Sequence, residues 1–208
     1  MSGPPPSLSR RTSINWEVSP SPAAAASEEG KIAFTDALGQ EFSIDAPERV
    51  AVMIGSFADV WVLAGGEDAM VATANDAWES YDLELGEDVV NIGSPMNPNV
   101  ELVLGAEPDL IIASSLSPSN LELQETFRSA GIPAAYFDVS SFQDYLDLLE
   151  LFTRLTGHPE RYEQYGASVK EQVDGAIQRR DIYSYTPTVL TIQVSGSSVK
   201  VKNSEDNV

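Results

Sequence analysis

The side chains best suited to holding a ligand sit in short polar loops, each following an apolar run: Ser56-Phe57, Asn75 to Tyr81, Ser94 to Asn97, and Ser114 to Ser117. These loops offer aromatic faces (Trp78, Tyr81 and Phe57), the pliable thioether of Met96, and hydroxyl or amide groups at Ser56, Asn97, Ser114 and Ser115. Such a mixture suits binding rather than bond-making. Stacking supplies contact area and a few polar groups fix orientation, which is what a large, flat, partly apolar ligand needs. Each position also has a structural alternative. Ser56 can cap the helix that follows it, and Trp78 can be a packed surface aromatic. Trp61 lies inside a helical apolar run and reads as core.

Catalytic groups are scarce. The one histidine, His158, stands between Gly157 and Pro159 at a break between helices, the setting of a solvated turn residue. No G-x-S-x-G, H-E-x-x-H or P-loop spacing occurs. Gly93-Ser94-Pro95 is not a nucleophile elbow, because proline after the serine removes an oxyanion-hole N–H. The chain therefore reads as a binding protein, not an enzyme, with no cofactor. One His and no Cys also argue against zinc- or manganese-type capture. Bare ferric iron held by tyrosinate and carboxylate stays open, with Tyr81 the best-placed ligand.

Strands and helices must carry those loops. The segment Asn97 to Ala113 contains one whole repeat of the pattern. Asn99 is a good helix N-cap, and Glu101 follows in the first turn, where the helix dipole favours a carboxylate. Val100, Leu102, Val103 and Leu104 provide the apolar face. Pro108 stops the helix, and Leu110 to Ala113 is apolar enough for a strand buried on both faces. Similar strands are expected at Val50 to Ile54, Val71 to Thr73, Val89 to Ile92 and Ala134 to Phe137. Helices are expected over Phe57 to Leu63 and Leu121 to Ser129, and a hairpin over Ile32 to Ile44. The alternation predicts an α/β fold, a mostly parallel sheet with helices on both faces. Its ligand would meet the carboxyl ends of the strands.

Composition narrows the partners. The net charge is −20, of which the first 30 residues contribute only −1. So acidic a body repels phosphate backbones and anionic lipid, which excludes nucleic acid. Without cysteine there are no disulfides. No apolar run is long enough to span a membrane or to act as a signal core. Residues 1–30, rich in Pro, Ser and Ala, read as a disordered leader or tether. Residues 140–185 carry two helical stripes, Phe142 to Leu155 and Tyr162 to Ile177, broken at Gly157 and Pro159. Thr188 to Val194 is a strand again.

Several segments are similar to one family. The run Asn99-x-Glu101 through Pro108-Asp109-Leu110 resembles the helical-backbone class of ABC-transporter substrate-binding proteins, which carry ferric siderophores, heme or cobalamin. Thr35-Asp36-x-x-Gly39-Gln40 resembles the family's opening hairpin, with Gln where Arg is commoner. Pro47-x-Arg49-Val50 resembles the approach to its first core strand, Gly131-Ile132-Pro133 its helix-to-strand step, and Lys202 to Val208 a segment early in its second lobe. The resemblance implies an amino-terminal lobe over 31–139, a helical spine over 140–185 and the first strand region of a truncated second lobe over 186–208. It further implies capture of a metal chelate outside the cytoplasmic membrane, ferric siderophore first, then cobalamin or heme. Delivery would be to an ABC permease and its ATPase, with Glu101 docking into an Arg pocket of the permease. The export signal and lipid-bearing cysteine of the family are absent from the sequence. The alternative is a truncated fragment that binds no chelate and acts as an interaction module. Under either reading the strand at 188–194 is expected to lie orphaned, with self-association or local disorder after about residue 185.

Overall fold

The computed structural model describes residues 30–182, 190–195 and 198–202. An antiparallel hairpin, β1 (Ile32–Thr35) and β2 (Glu41–Ile44), comes first, with Phe34 stacked on Phe42 at 4.8 Å. A five-stranded sheet follows, built from β3 (Val50–Val52), β4 (Met70–Thr73), β5 (Val90–Asn91), β6 (Leu110–Ser114) and β7 (Ala134–Phe137). Its order is β5-β4-β3-β6-β7 and every pairing is parallel. Helices α1 (Gly55–Leu63), α2 (Asp76–Glu79), α3 (Val100–Gly105), α4 (Pro118–Glu122), α5 (Gln124–Ala130) and α6 (Phe142–Thr156) connect and cover it. The α/β fold expected from the alternation is the fold observed.

Both faces of the sheet are dry, which is why its strands read as continuous apolar runs rather than alternating ones. Val50, Val52, Leu110, Ile112 and Phe137 face Phe57, Trp61, Leu149 and Phe152. Ala51, Met53, Ile111, Ala113 and Tyr136 face Val103 and Phe127. Trp61 is fully buried, edge-on to Phe152 at 5.1 Å, and its Nε1–H donates to the Gly66 carbonyl at 2.6 Å. Gly66 must lack a side chain, since a Cβ there would come within 2.1 Å of the indole.

The resemblance motifs lock the two ends of the sheet. At the amino edge, the Asp109 carboxylate accepts from the Glu48 and Arg49 backbone N–H groups at 2.8 and 3.1 Å. The Arg49 guanidinium returns to the Glu107 carbonyl at 2.9 Å, satisfying a carbonyl just past the end of α3. At the β7 edge, Ala37 N–H donates to the Tyr136 carbonyl at 2.8 Å, and Asp36 Oδ2 accepts from Tyr136 N–H at 3.1 Å. The hairpin turn thus covers an edge strand that would otherwise present unpaired groups.

Several boundaries shift. The first core strand ends at Val52, not Ile54, because the chain already bends there toward α1, although Met53 N–H still reaches the Ile112 carbonyl. The single helix expected over Leu121 to Ser129 is two, α4 and α5, sharing Leu123 as the cap between them. In the spine region α6 lies on the sheet and buries Leu146, Leu149, Phe152 and Leu155. Beyond Pro159 the helical backbone runs from α7 (Glu160–Tyr162) through a π-helical turn (Glu163–Ala167) into α8 (Ser168–Ile182). The strand expected to be orphaned is not. β8 (Thr191–Ser195) pairs antiparallel with β9 (Ser198–Lys202). Ile192, Val194, Val199 and Val201 are cross-strand partners on one face of this pair, and all are exposed. Residues 1–29, with the proposed leader, and 203–208, with most of the second-lobe motif, lie outside the described residues.

Candidate functional site

Parallel strands deliver all their carboxyl ends to one edge. The chain enters the sheet at β3 in the middle, steps outward to β4 and β5, then crosses back to β6 and β7. The strand order therefore reverses between β3 and β6. At such a switch point adjacent loops diverge to opposite faces and leave a crevice, the usual ligand position in an open α/β sheet. Ser56 follows β3, and Ser114 and Ser115 end β6, so these three flank the reversal.

Hydrogen bonds tie the loops of this edge into a continuous rim. Gly55 N–H donates to Asp76 Oδ1 at 3.0 Å, joining the loops after β3 and β4. Asn75 N–H donates to the Gly93 carbonyl at 2.9 Å, joining those after β4 and β5. Ser119 Oγ donates to the Pro95 carbonyl at 2.8 Å, bringing α4 to the β5 loop. Ser115 N–H and Oγ both donate to the Phe137 carbonyl, at 2.9 and 3.2 Å. A ligand resting here meets a rim set before it arrives, which lowers the entropy lost on binding.

The expected contact residues divide within that rim. Met96 is 75% exposed and Tyr81 41% exposed, and Asn97 is exposed with its N–H turned to the Ser94 carbonyl. Ser56 is half-buried in the first turn of α1. Trp78 is half-buried, packed against the same cluster as Phe57. Phe57 and Ser114 are turned inward. Phe57 is only 5% exposed and meets Phe137 edge-on at 6.4 Å, so the stacking face expected of it serves the core. Ser114 is buried, with Oγ accepting from Leu116 N–H and its own N–H held by Asn120 Oδ1 at 3.0 Å. Ser114 shapes the loop beneath the crevice.

Three rim residues carry roles that the sequence reading left unassigned: Asp76 as a tie, Ser119 as a brace, and buried Asn120 as the anchor of Ser114. Their signal was faint, because Asx and Ser residues near helix starts are common everywhere. Asn120 Nδ2 and Thr73 Oγ1 are buried with no partner among the described residues. His158 is exposed, with Nδ1 3.1 Å from Glu160 Oε1. Among the described residues no group of three metal-ligating side chains converges. Larger hollows lie elsewhere, along α8 (about 890 Å³) and at the amino end of β7 beside Arg128 (about 590 Å³), away from the rim.

Glu101 stands exposed in the first turn of α3, on the same edge. Asn99 Oδ1 accepts from the N–H groups of Glu101 and Leu102 at 3.0 and 3.3 Å, the cap expected from the sequence.

Residues 50–206 match the family model described as periplasmic binding protein. The chain belongs to the periplasmic binding protein family. Vitamin B12-binding proteins of Pectobacterium atrosepticum and Yersinia pestis are 25% identical over 135 residues and 27% over 129. Those alignments cover 65% and 62% of this chain, and 47% and 45% of the relatives. The chain thus spans about half the length of the curated relatives it matches. Among solved structures, the siderophore-binding protein BauB, bound to two acinetobactin molecules and ferric iron, superposes with a TM-score of 0.66 at 20% identity. It covers 83% of this chain and 62% of BauB. The petrobactin-binding protein YclQ of Bacillus subtilis gives 0.69 at 16%, covering 83% and 61%. At these identities the likeness to the solved structures is one of fold. The matched proteins are binding proteins rather than enzymes. Within this periplasmic binding protein, no described helix is long and apolar enough to cross a membrane.

Proposed function

We propose that this periplasmic binding protein is the substrate-binding component of an ABC importer, working outside the cytoplasmic membrane. It captures a metal chelate at the switch-point edge of its first lobe and presents it to a membrane permease driven by an ATPase. A ferric siderophore is the first choice, followed by cobalamin or heme. The observation that carries this reading is the hydrogen-bonded rim: loops from all five parallel strands meet at one edge, beside the β3–β6 reversal. Ser56, Ser115, Trp78, Tyr81, Met96 and Asn97 are the contacts offered there, with Phe57 and Ser114 supporting them from below. BauB, which holds a ferric chelate, and the vitamin B12-binding relatives support a ligand of this class. Glu101 is proposed as the carboxylate that meets the permease, since it is exposed on the same edge and held by its helix start.

A second reading is favoured by the β8–β9 hairpin, whose exposed Ile192, Val194, Val199 and Val201 form an apolar face. Under it the chain acts as an interaction module without a ligand of its own. Tryptophan fluorescence separates the two. Titration with ferric hydroxamate and catecholate chelates, heme and cobalamin should give saturable quenching by one of them, lost in Trp78→Phe. No saturable response to any would favour the interaction module.

A further inference from the structure

We infer that the ligand face of this lobe takes a neutral or cationic chelate, such as a ferric trihydroxamate, and disfavours an anionic one, such as a ferric tris-catecholate. The inference rests on the chelate-binding reading above and adds the charge class of the ligand.

The sequence has no Lys, Arg or His between Arg49 and Arg128. That stretch supplies the loops after β3, β4, β5 and β6, and the fifth loop, 138–141, has none either. The rim instead carries Asp76, Glu79, Asp82 and Asp138. Nor is the lobe uniformly acidic. Arg49 lies at the opposite edge, committed to the Glu107 carbonyl, and Arg128 ends α5 paired with Glu125. Charge is segregated, with the cations away from the strand ends.

The consequence follows from how anionic ligands are held. Catecholate oxygens and heme propionates call for charge-assisted donors, of which guanidinium is the best matched. This rim offers none, only hydroxyl, amide and backbone N–H groups. With carboxylates and no cation among its loops, the rim presents a negative field, which screening limits to about 8 Å at physiological ionic strength. The hollow of about 280 Å³ beside the end of β7 repeats the pattern: its ionisable lining is Asp36, Asp138, Asp144 and Asp147. A trianion placed here meets repulsion from several sides. An ammonium-bearing hydroxamate meets attraction.

The test uses the 208-residue chain and three ferric chelates of similar size. These are a trihydroxamate with a pendant ammonium, a neutral trihydroxamate and a tris-catecholate, each titrated at low and high salt. The cationic and neutral chelates should bind at least about tenfold more tightly than the trianion, a difference of about 1.4 kcal/mol. Added salt should weaken the cationic chelate and leave the neutral one unchanged. In Glu79→Lys with Asp138→Lys the gap should narrow. The salt dependence of the unaltered protein reads the same field if that variant does not fold. A trianion bound as tightly as the neutral chelate, or more tightly, overturns this inference alone. Failure of all three chelates to bind overturns the ferric-siderophore reading and this inference with it.

Discussion

Gly55 N–H donates to Asp76 Oδ1 at 3.0 Å, and no other residue type fits at position 55. A Cβ there would stand 2.7 Å from the Ala77 nitrogen and 2.8 Å from the Asp76 carbonyl carbon. Both are backbone atoms that cannot swing aside. The contact joins the first turn of α1 to α2 and sets the distance between the loops after β3 and β4.

Gly55→Ala should therefore destabilise the lobe by about 1–3 kcal/mol, the usual cost of forcing volume into a close-packed contact. Chemical denaturation would show this as a lower midpoint with an unchanged slope. A midpoint equal to that of the parent would mean that α1 and α2 are not held this closely.

Asp36→Ala should be costly for a different reason. Asp36 is buried and accepts from Leu38, Gln40 and Tyr136 backbone N–H groups at 2.9, 2.8 and 3.1 Å. Leaving the buried Tyr136 N–H unsatisfied costs about 1–3 kcal/mol. Asp36→Asn keeps one carbonyl acceptor and should recover part of that. Hydrogen exchange at the Tyr136 amide reads the change directly, and equal protection in Asp36→Ala and the parent would contradict it.

Alkaline pH should act through Tyr136. Burial, then the nearby Asp36 charge, push its phenol up to about 12 from an ordinary 10.0. Between those values the unfolded chain has released a proton that the folded one keeps, so stability falls as pH rises. Tyr136→Phe should lose less stability over that window than the parent does. Parallel losses in the two proteins would remove Tyr136 as the cause.

Acid acts through the start of α6. Ser141 Oγ accepts from Asp144 N–H at 3.2 Å, and Asp144 Oδ2 accepts from Ser141 N–H at 2.7 Å, a reciprocal cap. Bonds from Ser141, then from Ser140, hold the Asp144 carboxyl below its ordinary 3.8. Its contribution is fully present above that value and is lost as pH falls through the lowered one. Thermal melts of the parent and Asp144→Ala should differ at neutral pH and converge in strong acid. A gap that persists into strong acid would place the effect outside this carboxylate.

Much of this architecture was legible where local chemistry and burial agree. Ala134 to Phe137, flanked by Pro133 and Asp138, is the strand observed, and Asn99 caps α3 as its amide predicts. Other features depend on what an element faces, which periodicity does not report. The stripe from Leu146 to Leu155 marks α6 as amphipathic, yet only the packing shows that it lies against Trp61 and Phe137. Phe57 looked like a ligand contact because it follows a strand end. It is instead core, since the first turn of α1 points that side chain back over the sheet. The ties Gly55–Asp76 and Ser119–Pro95 span 21 and 24 residues, beyond the reach of any local pattern.

The central claim is that the carboxyl edge of the sheet, at the β3–β6 reversal, holds the ligand. Amide chemical-shift mapping of the 208-residue chain with a diamagnetic gallium trihydroxamate tests it most directly. Shifts should concentrate at Gly55, Ser56, Asn75 to Trp78, Gly93, Ser94, Met96, Asn97 and Ser115, with Arg49, Asp109 and Gly131 at the opposite edge unmoved. Shifts centred on Arg49, Asp109 and Gly131, or spread evenly over the lobe, would contradict it.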